Sequence, residues 1–284
     1  MLVAPPGAGK STRAPLALLD EAWVAGRKIA MLAPRRLAAR AAAARMAESL
    51  GEPVGKTVGY RVRMDAKVSD ATRIEVVTEG VFLRRVLGDP ELADVAAVLF
   101  DEFHERSLDA DMSLAFVLDV QGALRSDLRL LPMSATLDDT RLAALLGDAP
   151  VIRSEGRAYP VETRYLDRPG ERRFEDAMAA AIRRALRDET GGVLAFLPGR
   201  AEIERTAERL TGLGDGVIVL PLHGGLDPRD QDRAVRRTAD GLRKVVLATA
   251  IAETSLTIPD IRIVVDGGLA RVPRFDPAAG LARL

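Results

Sequence analysis

The sequence of 284 residues balances 41 Lys+Arg against 41 Asp+Glu, so it offers no bulk field to a polyanion and any nucleic-acid contact must be a local patch. At 48% hydrophobic and 29% charged it can bury sizeable cores, and its length predicts about two domains. It has no cysteine, which excludes disulfides and Cys-ligated metal, and no apolar run of membrane-spanning length or leader-like start, which points to the cytoplasm.

The chain opens Leu2-Val3-Ala4-Pro5-Pro6-Gly7-Ala8-Gly9-Lys10-Ser11-Thr12: a short apolar run, a Gly-rich turn, then a predicted helix carrying Leu16, Leu18 and Leu19. That order suits a phosphate cradle. Glycines let the backbone approach an anion, and a helix N-terminus aims free N–H groups at it. Lys10 is the candidate for the β- and γ-phosphates of a nucleoside triphosphate, and the Ser11 hydroxyl for Mg²⁺. Ala4 stands where the pattern G-x-x-x-x-G-K-[ST] has its first glycine, and Pro5 and Pro6 have no N–H to donate. The cradle must therefore draw on Gly7, Ala8, Gly9, Lys10 and Ser11, with Thr12 next to them. The bland alternative is a strand-to-helix turn with a chance Gly-Lys-Ser.

Apolar β-type runs then alternate with helical patterns: Ile29 to Leu32, Ile74 to Val77, Val95 to Phe100 and Leu128 to Met133. The pattern breaks between Ala149 and Pro160, where Pro150, Gly156 and Pro160 punctuate a polar stretch. A second alternation follows, with runs at Val193 to Leu197, Val217 to Leu220, Val245 to Ala248 and Ile261 to Val265. Between them, Phe174, Met178, Ile182 and Leu186 predict an amphipathic helix over Arg172 to Arg187. The fold class expected is α/β, as two tandem P-loop-type domains, residues 1–156 and 157–284, each a mainly parallel sheet flanked by helices.

The run from Val95 to Phe100 ends in Asp101-Glu102-Phe103-His104, placing adjacent acids at a strand's C-terminal edge, where α/β sheets bind ligands. Asp101 suits the Mg²⁺ shell and Glu102 the polarisation of an attacking water. His104 has no neighbouring His or Cys at metal-ligand spacing, but three residues past Asp101 it can face the same mouth. Ser134-Ala135-Thr136 closes the next strand with hydroxyls able to bond His104 or the acids, and alone is common turn chemistry. Ala248 to Ile258, rich in Thr and Ser, follows a strand of the second half and suits phosphate or ribose contacts, with helix capping explaining part of it.

Taken together, Ala4 to Thr12, Asp101 to His104, Ser134 to Thr136 and Ala248 to Ile258 resemble motifs I, II, III and V of the DEAH-box helicases, and are most similar to the bacterial HrpB branch. Pro34 to Arg40 resembles motif Ia, Thr78 to Arg84 motif Ib and Phe196 to Gly199 motif IV. The resemblance covers essentially the whole chain. It implies two RecA-like domains, ATP with Mg²⁺ as cofactors, and single-stranded RNA as partner of a monomeric, ATP-hydrolysing core. Lys10 would hold phosphates, Ser11 and Asp101 the metal, and Glu102 the water. His104, Ser134 and Thr136 would couple nucleotide state to movement, and Arg35, Arg36, Thr78 and Thr257 would grip the nucleic-acid backbone without reading sequence.

The sequence departs from the family pattern in three places. Arg45 occupies one of the two adenine-stacking positions but Val235 the other, which implies weak base discrimination. Ala250 stands where motif V usually has Asn. The Gln-Arg-x-Gly-Arg-x-Gly-Arg box, which carries the family's arginine finger, is not reached. With only Met1 to Val3 before the first turn and Gly280 to Leu284 reading as a strand just starting, the chain is expected to be a fragment with impaired hydrolysis. Leu269 to Phe275, the turn at Asp276-Pro277 and Leu281 to Leu284 are expected as strand, turn and strand. The rival readings are a DNA translocase of the same superfamily, a P-loop small-molecule kinase, and a non-catalytic nucleotide-binding module.

Overall fold

A computed structural model describes the chain except residues 136–139, 157–158, 167–172, 239–240, 254–255, 273 and 284, and the side chains of residues 140, 282 and 283. The chain divides into two compact units, Met1–Val161 and Glu162–Leu284. Among the described residues no helix is long and apolar enough to cross a membrane.

Unit 1 runs β1 (Leu2–Val3), α1 (Lys10–Ala17), β2 (Lys28–Ala33), α2 (Arg36–Ser49), β3 (Val58–Val62), β4 (Asp65–Lys67), β5 (Ile74–Thr78), α3 (Glu79–Gly88), β6 (Val95–Phe100), α4 (Leu108–Ala123), β7 (Arg129–Ser134), α5 (Thr140–Leu145) and β8 (Ile152–Arg153). Its eight-stranded sheet has the order β4-β3-β5-β2-β6-β7-β1-β8. Every pairing is parallel except β3 with β4. The central strands read as unbroken apolar runs because both faces are covered. In β2, Ile29, Met31 and Ala33 join a core with Ala39, Ala43 and Met46 of α2. The alternate residues Ala30 and Leu32 join a second core with Phe82 of α3 and Leu114 and Val117 of α4.

Two-residue β1 holds its place by pairing on both sides, Leu2 with Met133 of β7 and with Ile152 of β8. Sequence reading does not pick out β3, β4 or β8. The first two form a hairpin at the sheet's edge, where Tyr60 Oη donates to Asp65 Oδ2 at 3.0 Å and Met64 makes the turn at φ 64°.

Unit 2 runs α6 (Phe174–Asp188), β9 (Gly192–Phe196), α7 (Arg200–Arg209), β10 (Val217–Leu222), α8 (Pro228–Val235), β11 (Arg243–Ala248), β12 (Ile261–Asp266), β13 (Arg274–Asp276) and β14 (Leu281–Arg283). Its main sheet, β10-β11-β9-β12, is wholly parallel. Met178, Ala179 and Ile182 of α6 and Ile203 of α7 pack on Val193, Ala195, Val245 and Leu247 of its strands. The antiparallel hairpin β13–β14 is shorter than the sequence suggests: its first strand begins at Arg274, not Leu269. Asp276 Oδ1 shapes the turn by accepting from the N–H groups of Ala278 and Ala279 at 3.0 and 3.3 Å.

Candidate active site

The C-terminal ends of β1, β6 and β7 lie side by side, because β7 pairs with both β1 and β6. The Gly-rich turn, the acid pair and the Ser134 segment, far apart in sequence, are thereby brought to one sheet edge. The turn is anchored where the Ala4 N–H donates to the Ser134 carbonyl at 3.0 Å. Gly7 (φ 81°) and Gly9 (φ 89°) both take the left-handed conformation that disfavours other residues, and Gly9 caps α1. The Ala8 N–H is engaged at 3.2 Å with the Pro5 carbonyl. The Ala8 N–H thus closes the turn from within, and α1 begins at Lys10 directly after it. Thr12 Oγ1 donates to the Gly9 carbonyl at 3.5 Å.

Lys10 is 5% exposed, and its Nζ lies 2.9 Å from Glu102 Oε1. Glu102 can reach it because the backbone leaves β6 sharply: Glu102 has φ 48° and ψ 39°, an uncommon conformation for a residue with a side chain. Its N–H donates to Asp101 Oδ1 at 3.1 Å. Asp101 is buried, with the Ser11 hydroxyl beside it. Burial, and next the charge of Glu102, push Asp101 up to about 6, against the opposing pull of Ser11 and Lys10. A carboxylate held at that cost favours a cation beside it.

The second Glu102 oxygen, Oε2, is buried without a hydrogen-bond donor among the described residues. His104 Nδ1 lies 3.5 Å from it but accepts the Ala135 N–H at 3.3 Å. Nδ1 thus meets a backbone N–H on one side and the Glu102 carboxylate on the other. A link between the third segment and His104 runs through the Ala135 backbone. Ser134 is buried at the end of β7, and Thr136 lies outside the described residues.

The remaining expected residues are more dispersed. Arg35 caps α2 and Arg36 begins it, exposed. Arg45 is also on α2, and its ion pair runs at 4.0 Å to Glu48 on the same helix. Thr78 caps α3 and Thr257 is exposed in unit 2. Val235 is buried within its own unit. Sequence reading passes over Glu79 and Ser107. The Ser107 hydroxyl is hydrogen-bonded to Glu79 at the start of α3 while accepting from the Ala110 N–H at 2.9 Å at the start of α4. Burial raises the Glu79 carboxyl and the Ser107 bond opposes that. The N-cap pattern of Ser107 was readable, but its long-range partner was not.

Residues 1–144 match the DEAD/DEAH box helicase family, and residues 176–278 the helicase conserved C-terminal domain. The chain belongs to the DEAD/DEAH box helicase family. It is similar to the ATP-dependent RNA helicase HrpB of Escherichia coli strain K12, 56% identical over 285 residues, covering 100% of this chain and 35% of that protein. It is 37% identical to the ATP-dependent RNA helicase HrpA homolog of Haemophilus influenzae over 284 residues, covering 98% of this chain and 21% of that protein. Among solved structures, the crystal structure of Escherichia coli DEAH/RHA helicase HrpB matches with a TM-score of 0.88 at 55% identity, over 100% of this chain and 36% of that one. That of the E. coli DExH-box NTPase HrpB matches with a TM-score of 0.76 at 55% identity, over 99% and 35%. The helicase chain spans about a third or less of the curated relatives' lengths, 35% and 21%. Its fold is that of two tandem helicase domains, mostly parallel sheets flanked by helices, as the sequence motifs imply.

Proposed function

We propose that this chain forms the ATP-hydrolysing core of an RNA helicase, two RecA-like domains coupling nucleotide turnover to movement along a single strand. The observation that carries the reading is the convergence of Lys10, Ser11, Asp101 and Glu102, with the Gly7 and Gly9 turn, at one edge of the unit 1 sheet. On this reading the free amides and Lys10 bind the phosphates, Lys10 exchanging Glu102 for a phosphate oxygen. The Glu102 oxygen so released, with its buried Oε2, orients the attacking water and accepts its proton. Ser11 and Asp101 fit Mg²⁺, one hydroxyl and one buried carboxylate; the described residues hold no cluster of three His, Cys, Asp or Glu. Such a sparse set suits an ion that keeps waters and nucleotide oxygens as its other ligands. Bound there, Mg²⁺ would neutralise phosphate charge.

His104, tied to Ala135, and Ser134 are read as coupling residues, with Thr136 assigned by motif alone. Arg35, Arg36, Thr78 and Thr257 are read as backbone contacts to RNA. A monomer acting in the cytoplasm completes the proposal. With Arg45 as the single stacking side chain, ATP, GTP and CTP should support turnover within about tenfold of one another. A preference for ATP beyond a hundredfold, measured by steady-state kinetics, would reveal a base-reading group. The deciding experiment is turnover by the full-length protein with and without single-stranded RNA. RNA stimulation that single-stranded DNA fails to match supports the proposal; equal stimulation by DNA favours a general translocase, and none with either removes the helicase reading.

A further inference from the structure

Gly156 lies just beyond β8, where the chain is about to leave unit 1. The Ser154 N–H donates to the Val3 carbonyl at 2.9 Å, continuing the β1–β8 pairing past the end of the strand. Two residues later Gly156 reaches the phosphate turn. A Cβ built on it would stand 2.5 Å from Pro5 Cγ, 3.1 Å from Pro5 Cδ and 3.6 Å from Ala8 Cβ. No real Cβ tolerates the first of these distances, and its neighbour is a ring that cannot swing aside. Gly156 also has φ +61°, so a side chain there would be strained even in open space. Among the described glycines with positive φ, Gly191 also has neighbours below 3.0 Å, atoms of the Arg262 side chain that include its Cβ, but these lie in unit 2.

The turn needs such a support. Gly7 and Gly9 give it two unusually free backbone positions, and Pro5 and Pro6 bring no N–H to fix it. Its own backbone bonds are Ala4 to Ser134 on one side, Ala8 to Pro5 within it, and Thr12 and Arg13 to the Gly9 carbonyl at its helix end. We infer that Gly156 is a positioning residue for nucleotide binding: its bare Cα is the wall on which the Pro5 ring rests, fixing the amides that meet the phosphates. This rests on the reading of the turn as the nucleotide site. It also means that the segment leaving unit 1 begins in contact with the phosphate turn.

The test uses the full-length protein, with a fluorescent ATP analogue and Mg²⁺ as the probe and ATP hydrolysis as a second readout. Gly156→Ala should weaken binding by about tenfold, the scale of a steric clash that shifts the turn. It should raise KM while leaving kcat at saturation essentially unchanged. Gly147→Ala, at φ +70° with nothing within 4 Å of the added carbon, controls for strain alone and should bind normally. Pro5→Ala removes the ring atoms that collide, so the double variant Pro5→Ala/Gly156→Ala should recover affinity to the level of Pro5→Ala alone. Normal binding by Gly156→Ala, or a loss that the double variant does not recover, overturns the inference while the nucleotide site stands. Normal binding by Lys10→Ala instead removes the site itself, and the inference with it. Should Gly156→Ala fail to fold, hydrogen exchange in the wild type decides: ATP·Mg²⁺ should slow the Ser154–Gly156 amides, and unchanged exchange rejects the contact.

Discussion

Lys10 of unit 1 and Lys244 of unit 2 are both buried beside a parallel sheet, but they bond to different kinds of partner. Lys244 donates at 2.9 Å to the carbonyl of Arg236, the residue that caps the C-terminus of α8, where a cation satisfies a free carbonyl and the helix dipole. Its pKa is lowered chiefly by burial. Lys10 instead meets a side chain, Glu102, which stands beside the unfavourably buried Asp101. The histidines both accept from backbone and differ only in reach. His223 Nδ1 accepts from Gly225, two residues on, whereas His104 Nδ1 accepts from Ala135, 31 residues away. A charge bonded to backbone holds the fold, because its partner cannot leave. Charges bonded to one another can exchange partners when a ligand arrives.

The contrast breaks most visibly at Glu102. Glu102→Gln should retain nucleotide affinity but lose about 10²–10⁴ in turnover, the usual worth of a positioned base. Steady-state hydrolysis by the full-length protein checks it, and wild-type turnover would remove Glu102 from the mechanism. Asp101→Ala should instead weaken Mg²⁺-dependent binding itself.

Asp101 allows a stability test with a definite sign. Its folded pKa, about 6, lies above the ordinary carboxylate value of 3.8, so the folded state binds the proton more tightly. Folding stability should therefore fall as pH rises from about 4 to about 6, and the cost persists above that. Asp101→Asn should then stabilise unit 1 at pH 7.5 by on the order of 3 kcal/mol, and hardly at all below pH 4, while abolishing activity. Urea unfolding of both proteins at the two pH values reads this. Equal stabilisation at both would mean that the charge is not the cause.

The smallest effects separate the helix caps. Ser107→Ala in unit 1 and Asp227→Ala in unit 2 each remove a side chain that accepts a helix N–H, from Ala110 and Arg229, and each should cost about 1 kcal/mol of stability. Only Ser107 also binds Glu79, next to Thr78, so only Ser107→Ala should alter RNA stimulation of turnover as well. A change of the same size from Asp227→Ala would dissolve the distinction between the two caps.

Much of the architecture could be read directly from the chain. Parallel strands buried on both faces leave continuous apolar runs, which is why Val95 to Phe100 and Val245 to Ala248 stand out, and local chemistry marks Gly7 to Ser11 as a Gly-rich strand-to-helix turn and Asp101-Glu102 as the end of a strand. The β3–β4 hairpin was harder to find because an edge carries no such run. The site's internal wiring depended on tertiary structure. Lys10 and Glu102 are 92 residues apart, His104 draws its bond from the Ala135 backbone, which no side chain advertises, and Gly156 meets Pro5 from the opposite end of unit 1. Sequence determines which groups are present and how each short stretch bends. Which groups face one another follows from strand order and register, set by the burial of the whole sheet.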